Sequence, residues 1–243
     1  MYDLTKFTLR DMTECGIALR NLSVDAGSME EVADKIVHYL YDHLIDRQTG
    51  EKICALVRFY KTHPFGELHE ELQRFALDIL GSQPASSSMK CLTLMATVGV
   101  KPEWHSRKAS AGHQAIPLPS KELVAQAPMI SNLIQQFGLE IDTVLAPNPN
   151  LLVDVEQRSY NVFHVPDAAG SPYIPAQEEF VVPFGVRSVL GFGGMLPSGN
   201  LFAIILFSQS RIQREVAEMF KTLALSIKLV VLSFEDTVFA LSH

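Results

Sequence analysis

The sequence predicts an α+β domain, and three features carry that expectation. The stretch from Phe180 to Ser208, FVVPFGVRSVLGFGGMLPSGNLFAIILFS, reads as two adjacent strands, Arg187–Leu196 and Leu201–Phe207. Pro197-Ser198-Gly199-Asn200 joins them, and Gly and Asn are turn residues because both tolerate positive φ. Two further runs, Ile53–Tyr60 (ICALVRFY) and Cys91–Val98 (CLTLMATV), are nearly continuous in apolar residues. Such runs suit strands covered on both faces. Amphipathic helices are predicted near both ends of the chain.

The first helix spans about Thr8–Leu22, with Leu9, Met12, Gly16 and Leu19 at helical spacing. Gly16 leaves room for another helix to approach closely. Ser28 and Glu31 match a capping box, which starts a second helix. Its apolar face is Val32, Ile36, Val37, Leu40 and Leu44, and Thr49-Gly50 closes it. Glu67–Ile79 has helical spacing, and a Ser-rich turn at Gly81–Ser88 follows. A polar excursion then runs from Lys101 to Pro119. Ile130, Leu133, Ile134 and Phe137 lie on one helical face, with Gly138 as the expected C-cap. Tyr160–Gln177 is too rich in Pro and Gly for regular structure throughout.

Ser210 and Gln213 match a second capping box, opening a helix that runs to about Phe234. That helix is apolar on two sides, so both must be covered. One side is expected to cover the sheet and the other to meet a partner helix. The expected dimer interface is Leu9, Met12 and Leu19 with Val216, Phe220, Leu223, Ile227 and Val230.

Composition narrows the function. Of 243 residues, 47% are hydrophobic and 19% charged, enough apolar surface for a sizeable core. The net charge is -7 with Lys and Arg scattered, the opposite of a nucleic-acid footprint. Three cysteines, Cys15, Cys54 and Cys91, form no ligand spacing and fit free thiols in a reducing compartment. The N-terminus has no hydrophobic signal core, and no run approaches the roughly 20 apolar residues of a membrane span. A soluble, cytoplasmic chain is therefore expected, with no membrane contact. Enzyme signatures are missing: GFGG at 191–194 lacks the third glycine and following helix of a dinucleotide site. No nucleophile elbow or marked carboxylate pair is visible, so a non-enzyme is expected.

The order helix, strand, strand, excursion, strand, strand, long helix resembles the GAF family of sensory modules. The residue-level match is sharpest over VVPFGVRSVLGFGGMLPSGNLFAIILFS, and PYIPAQEEFV resembles the family's pocket-side loop and short helix. The resemblance implies a six-stranded antiparallel sheet with terminal helices on one face. Loops and short helices would cover a ligand pocket on the other. It divides the chain into a helical segment at 1–27 and a GAF-like domain at 28–243. It also implies a homodimeric sensory or regulatory domain that binds a small molecule and signals to a histidine kinase or diguanylate cyclase. In that mechanism the ligand reorders the excursion and the 160–177 loop and shifts the C-terminal helix. The ligand or cofactor stays unknown. The Asn-Lys and Phe-Asp-Glu set of cyclic-nucleotide-binding members has no counterpart here. No cysteine lies beyond Cys91 to attach a bilin in the pocket-side region. The family's free methionine sulfoxide reductases use cysteines in loops, whereas Cys54 and Cys91 fall in strands. A ligand-free dimerisation scaffold and a thiol-dependent reductase are the alternatives.

Candidate ligand contacts follow from this placement. Arg58 and Arg187 are cations in apolar strands, each facing either an anionic ligand or an internal carboxylate such as Asp167, Glu178 or Glu179. Arg187, near its strand's start, has solvent as a third option. His105, His113 and His164 fall in the segments that would cover the pocket, without the HxH or HExxH spacing of a metal site. Trp104, Phe163, Tyr173 and Phe184 are candidates for an aromatic lining, together with Phe180.

Overall fold

The computed structural model describes residues 1–110, 112–147 and 161–240. Helices α1 (Leu9–Asn21) and α2 (Met29–His43) come first, flanked by a short parallel pair, β1 (Tyr2–Asp3) and β2 (Leu44–Ile45). Strand β3 (Cys54–Pro64), helix α3 (Glu70–Leu80), strands β4 (Lys90–Gly99) and β5 (Ala115–Leu118) follow. Three short helices, α4 (Lys121–Ala125), α5 (Pro128–Gln136) and α6 (Ile141–Leu145), precede β6 (Val162–Val165). After a π-helical turn at Gln177–Val181 come β7 (Ser188–Met195), β8 (Leu201–Ser208) and the long α7 (Arg214–Val231).

The main sheet has six antiparallel strands in the order β5-β4-β3-β8-β7-β6. Every residue of β4, β7 and β8 is buried, as the continuous apolar runs imply. Alternation along each strand splits the core in two. Val57, Phe59, Phe192 and Leu206 pack with α1, α2 and α7 on one face. Leu56, Tyr60, Ala203 and Ile205 pack with α5 and α6 on the other. Helix α3 closes the β5 edge through Leu72 and Ala76. Pro117 sits in β5, an edge strand, where its missing N–H costs no ladder bond.

Helix ends follow local chemistry. Thr8 and Asp11 cap each other reciprocally at α1. At α2, Ser28 Oγ accepts from Glu31 N–H, but the Glu31 carboxylate turns to Gly27 N–H, so the box is half made. Gly138 has φ 76 just past α5, the backbone a glycine C-cap supplies. The expected Ser210 cap does not form. Helix α7 starts at Arg214, and Ser210 instead accepts from Ser188 Oγ through its carbonyl. In the β7–β8 turn only Gly199 has positive φ, while Asn200 turns inward and accepts from Lys90 Nζ at 2.7 Å.

The terminal helices correct the expected interface. Leu19, Val216, Phe220, Leu223, Ile227 and Val230 are all buried within the protomer. Helix α7 spends that stripe on the sheet and on α1, with Gly16 letting Ser226 Oγ approach to 3.1 Å from where a Cβ would stand. Of the expected set only Leu9 is exposed, and Met12 is half-buried. Exposed apolar side chains on these helices are instead Ile17, Leu225 and Leu229.

Strand β3 runs past Tyr60 to Pro64 and carries Lys61 and His63 into the interior. Lys61 Nζ lies 3.1 Å from His63 Nε2, and Phe239 covers the imidazole. Burial lowers Lys61 to about 8 and holds His63 well below the usual histidine range. His164, also buried, is lowered for the same first reason. For a base, a lowered folded-state pKa means the unfolded chain binds more protons, so stability falls with pH below the unfolded value of about 6.5. The denaturant midpoint is expected to drop between pH 7 and pH 5.5. Each histidine kept neutral contributes at most about 1.4 kcal/mol per pH unit. An unchanged midpoint would show that these imidazoles take up protons in the folded state.

Candidate ligand pocket

Between the sheet face opposite α7 and helices α5 and α6 lies a cavity of about 520 Å³. Its sheet wall comes from Leu56, Arg58 and Tyr60 on β3, Leu92 on β4, and Ala203 and Ile205 on β8. These are period-two neighbours, so one strand presents two polar tips and an aliphatic side chain to the same space. Ile130, Leu133 and Ile134 of α5 form the opposite wall, and Ile174 and Phe180 close one side. The volume and apolar lining are typical of small-molecule sites.

The excursion after β4 supplies Trp104 and His113. Gly99 sets the Trp104 position: a Cβ there would stand 2.7 Å from the indole and 2.7 Å from Ala55 O. The indole meets Phe184 and Phe180, whose ring in turn meets Phe207 edge-on at 4.9 Å. Arg58 is the polar centre. Its Nη1 donates to Tyr60 Oη at 3.2 Å and its Nη2 to Ser110 Oγ at 3.3 Å. Its Nε is buried with no acceptor, and no ion pair involves Arg58 among the described residues. An unmet buried donor of this kind costs about 1–3 kcal/mol or more. His113 has φ 64 and stands exposed in area but hemmed in by protein. Burial, and then the Arg58 charge, lower its pKa.

No protein-family model matches the chain, and no curated protein matches it in sequence. Solved structures do. The chain is similar to free methionine-R-sulfoxide reductase from Neisseria meningitidis at 11% identity and TM-score 0.51, covering 94% of this chain and 93% of that one. It is also similar to the GAF domain of the Acinetobacter phosphoenolpyruvate-protein phosphotransferase, at 13% identity, 97% and 100% coverage and TM-score 0.47. A phycocyanobilin-bound GAF domain from a cyanobacterial phytochrome matches at 10% identity, 91% and 94% coverage and TM-score 0.44. The first of these, with a TM-score above 0.5 at 11% identity, speaks to architecture alone. The fold is GAF-like.

Within this GAF-like fold, the cavity brings together Arg58, Trp104 and His113 of the expected contacts, with Phe184 behind the indole. The others go elsewhere. Phe163 is fully buried against Gly191 and does not line the cavity. His164, the next residue on β6, points to the helix face, where Nε2 donates to Ile212 O at 3.0 Å. His105 Nε2 lies 2.8 Å from Gly99 O, and the residue is exposed. Tyr173 and Arg187 are exposed too. Asp167, an expected partner for an arginine, pairs with Arg211. The three histidines do not converge, and no cluster of metal-binding side chains occurs among the described residues. Tyr60 and Ser110 were missed. Tyr60 was readable as the residue two along from Arg58 on one strand face; Ser110, brought in by the excursion, left no local signal.

Proposed function

We propose that the chain is a sensory or regulatory domain that takes a small, mainly apolar molecule into this cavity. The observation that carries the reading is a 520 Å³ apolar cavity with the polar tips of Arg58 and Tyr60 in its wall, Arg58 being held from behind by Ser110. A route to the chain's end supports it. The excursion that gives Trp104 and His113 to the cavity, and Ser110 to Arg58, also sends Arg107 to Glu30 on α2, at 2.5 Å. Arg107 lies over the ring of Phe239, 5.5 Å from its centre. The segment after α7 is pinned at the same place: Thr237 O and Val238 O accept from Met29 and Glu30 N–H, and Ala240 N–H donates to Glu30. A ligand that moves the excursion therefore changes the seating of the C-terminal segment. It does so only to the extent that it binds one arrangement more tightly than the other.

The same proposal makes the domain cytoplasmic and its output a signalling partner, with a histidine kinase or diguanylate cyclase as the partner the family resemblance suggests. No helix among the described residues is long and apolar enough to cross a membrane. The proposal assigns dimerisation to Ile17, Leu225 and Leu229, supported by their exposure, rather than to the buried stripe. Leu225→Glu with Leu229→Glu is expected to give folded monomers by light scattering, and an unchanged dimer would put the interface elsewhere.

A thiol reductase is disfavoured by the cysteines themselves. Cys15, Cys54 and Cys91 are buried, none lines the cavity, and burial pushes each up to about 12. Thiol catalysis needs access and a lowered pKa. Native mass spectrometry of gently purified protein is expected to show a bound small molecule. A bare mass, with no ligand response from a library of apolar compounds, would favour the scaffold reading.

A further inference from the structure

We propose that the cavity's ligand is an apolar monocarboxylate, its carboxylate held by Arg58 and its hydrocarbon body lying against α5. This inference rests on reading the cavity as a ligand site and specifies the chemistry of the occupant.

The lining residues include one permanently charged side chain, Arg58, and no Asp or Glu. A guanidinium facing an apolar space, with no carboxylate partner among the described residues, is a charge that an anionic ligand would balance. Its existing bonds go to two neutral hydroxyls and are long, at 3.2 and 3.3 Å, leaving Nε unmet. Ser110 Oγ passes its proton to Gly112 O at 3.1 Å. Tyr60 Oη accepts from Arg58, and its own proton has no acceptor among the described residues. Nε–H and Tyr60 O–H are thus two donors lacking an acceptor among the described residues, on side chains that touch each other. A carboxylate, with two oxygens and four lone-pair sites, accepts from both.

Charge count selects among anions. One arginine balances one negative charge, and burial with the Arg58 charge beside it lowers the His113 pKa, which disfavours a second positive charge there. A phosphate monoester at nearly two charges would leave an uncompensated anion against leucine and isoleucine. A neutral ligand would leave the guanidinium charge unbalanced, and a cation would be repelled. Beyond the polar corner the walls are Leu92, Ile130, Leu133, Ile205 and Phe180, which offer contact area and nothing to hydrogen-bond. The ligand's remainder is therefore hydrocarbon.

The chain has a single tryptophan, Trp104, and it lines this cavity, so its fluorescence reports binding directly. The experiment titrates the full chain with straight-chain carboxylates from octanoate to hexadecanoate. The 1-alkanols and alkylammonium ions of matched length are run beside them, all below micelle-forming concentrations. The best carboxylate is expected to bind at least tenfold more tightly than its alcohol, about 1.4 kcal/mol, and the ammonium not at all. In Arg58→Met that preference should vanish, with alkanol binding retained or improved, while Arg58→Lys should keep part of it. Equal binding of acid and alcohol by the unaltered protein would overturn the carboxylate inference and leave the cavity as a site for neutral apolar ligands. No response from any member of the three series would overturn the ligand reading as well. The comparison within the unaltered protein does not depend on any variant folding.

Discussion

Leu223→Glu combined with Ile227→Glu is expected to leave no folded protein, rather than to split a dimer into monomers. Both side chains are fully buried in the core that joins α7 to the sheet and to α1. Each substitution removes a filled apolar side chain and places a carboxylate among Phe220, Leu19 and neighbouring residues, where nothing pairs with it. Either loss alone costs several kcal/mol. A domain of this size has a total stability of about 5–15 kcal/mol, so the pair exceeds or exhausts it. Circular dichroism should show loss of the cooperative transition, and expression should shift to the insoluble fraction. A soluble monomer with a sharp transition would mean that the stripe is not part of the protomer's core. The contrast with Leu225→Glu and Leu229→Glu is the useful control. Those residues are 44% and 54% exposed on the same helix, and their substitution should leave the protomer folded.

Gly193→Val is the second severe change. Strands β7 and β8 approach so closely here that a Cβ on residue 193 would stand 2.0 Å from Phe202 O and 2.9 Å from Ala203 Cα. Both neighbours are backbone of the paired strand, so no rotamer change relieves the clash. The strands must separate, breaking ladder bonds in the middle of the sheet. A loss of about 4 kcal/mol or more is expected, at the upper end of what single substitutions do. Gly112→Ala makes a matched control, because nothing lies within 4 Å of its added Cβ and its φ is not positive. It should change stability by no more than about 0.5 kcal/mol. If Gly193→Val unfolds at the same denaturant concentration as the parent, the close approach of the two strands is wrong.

The same glycine shows what could be read from the residues and what could not. GFGG lacked the marks of a dinucleotide loop, and it proves to be strand, its small residues set by close approach to β8 and by Phe163 stacking on Gly191. Long periodic segments were legible: α1, α3, α5, β3, β4, β7 and β8 lie where apolar spacing places them, while α2 starts as expected but ends at His43, so that Leu44 falls in β2 and Thr49-Gly50 does not close the helix. Strands β5 and β6 were not, because each is only a few residues long and sits in a segment rich in Pro or Gly. Their pairing is supplied by β4 and β7, not by local preference. Helix α7 has apolar residues on several sides, and the pattern cannot say which side meets the sheet. Hence the stripe assigned to a partner turned inward.

For the pocket, Arg58 stood out as a charge in an apolar run, and Trp104 and His113 as unusual residues in a polar excursion. His164 and Phe163 failed for a simple reason: neighbours on a strand face opposite ways, so at most one could reach the cavity. Here neither does. The aliphatic wall left no signal at all, since Leu133 or Ile205 lining a cavity has the same pattern as one filling a core. The 160–177 loop begins at Tyr160, which lies outside the described residues.

The strand order also has a consequence for how the protein is made. The two halves of the sheet meet only where β3 pairs with β8, Cys54 opposite Ser208 and Lys61 opposite Phe202. A ribosome adds roughly 5–20 residues per second. The β3–β4 pair, joined through α3 and covered on one face by α2, can therefore form early, but the free edge of β3 must wait for β8 to emerge. Such high contact order slows folding, because the loop-closure entropy falls due before the long-range contacts form. Nascent chains stalled just before Leu201 should thus be the species most dependent on chaperones, and those released after Val231 the least.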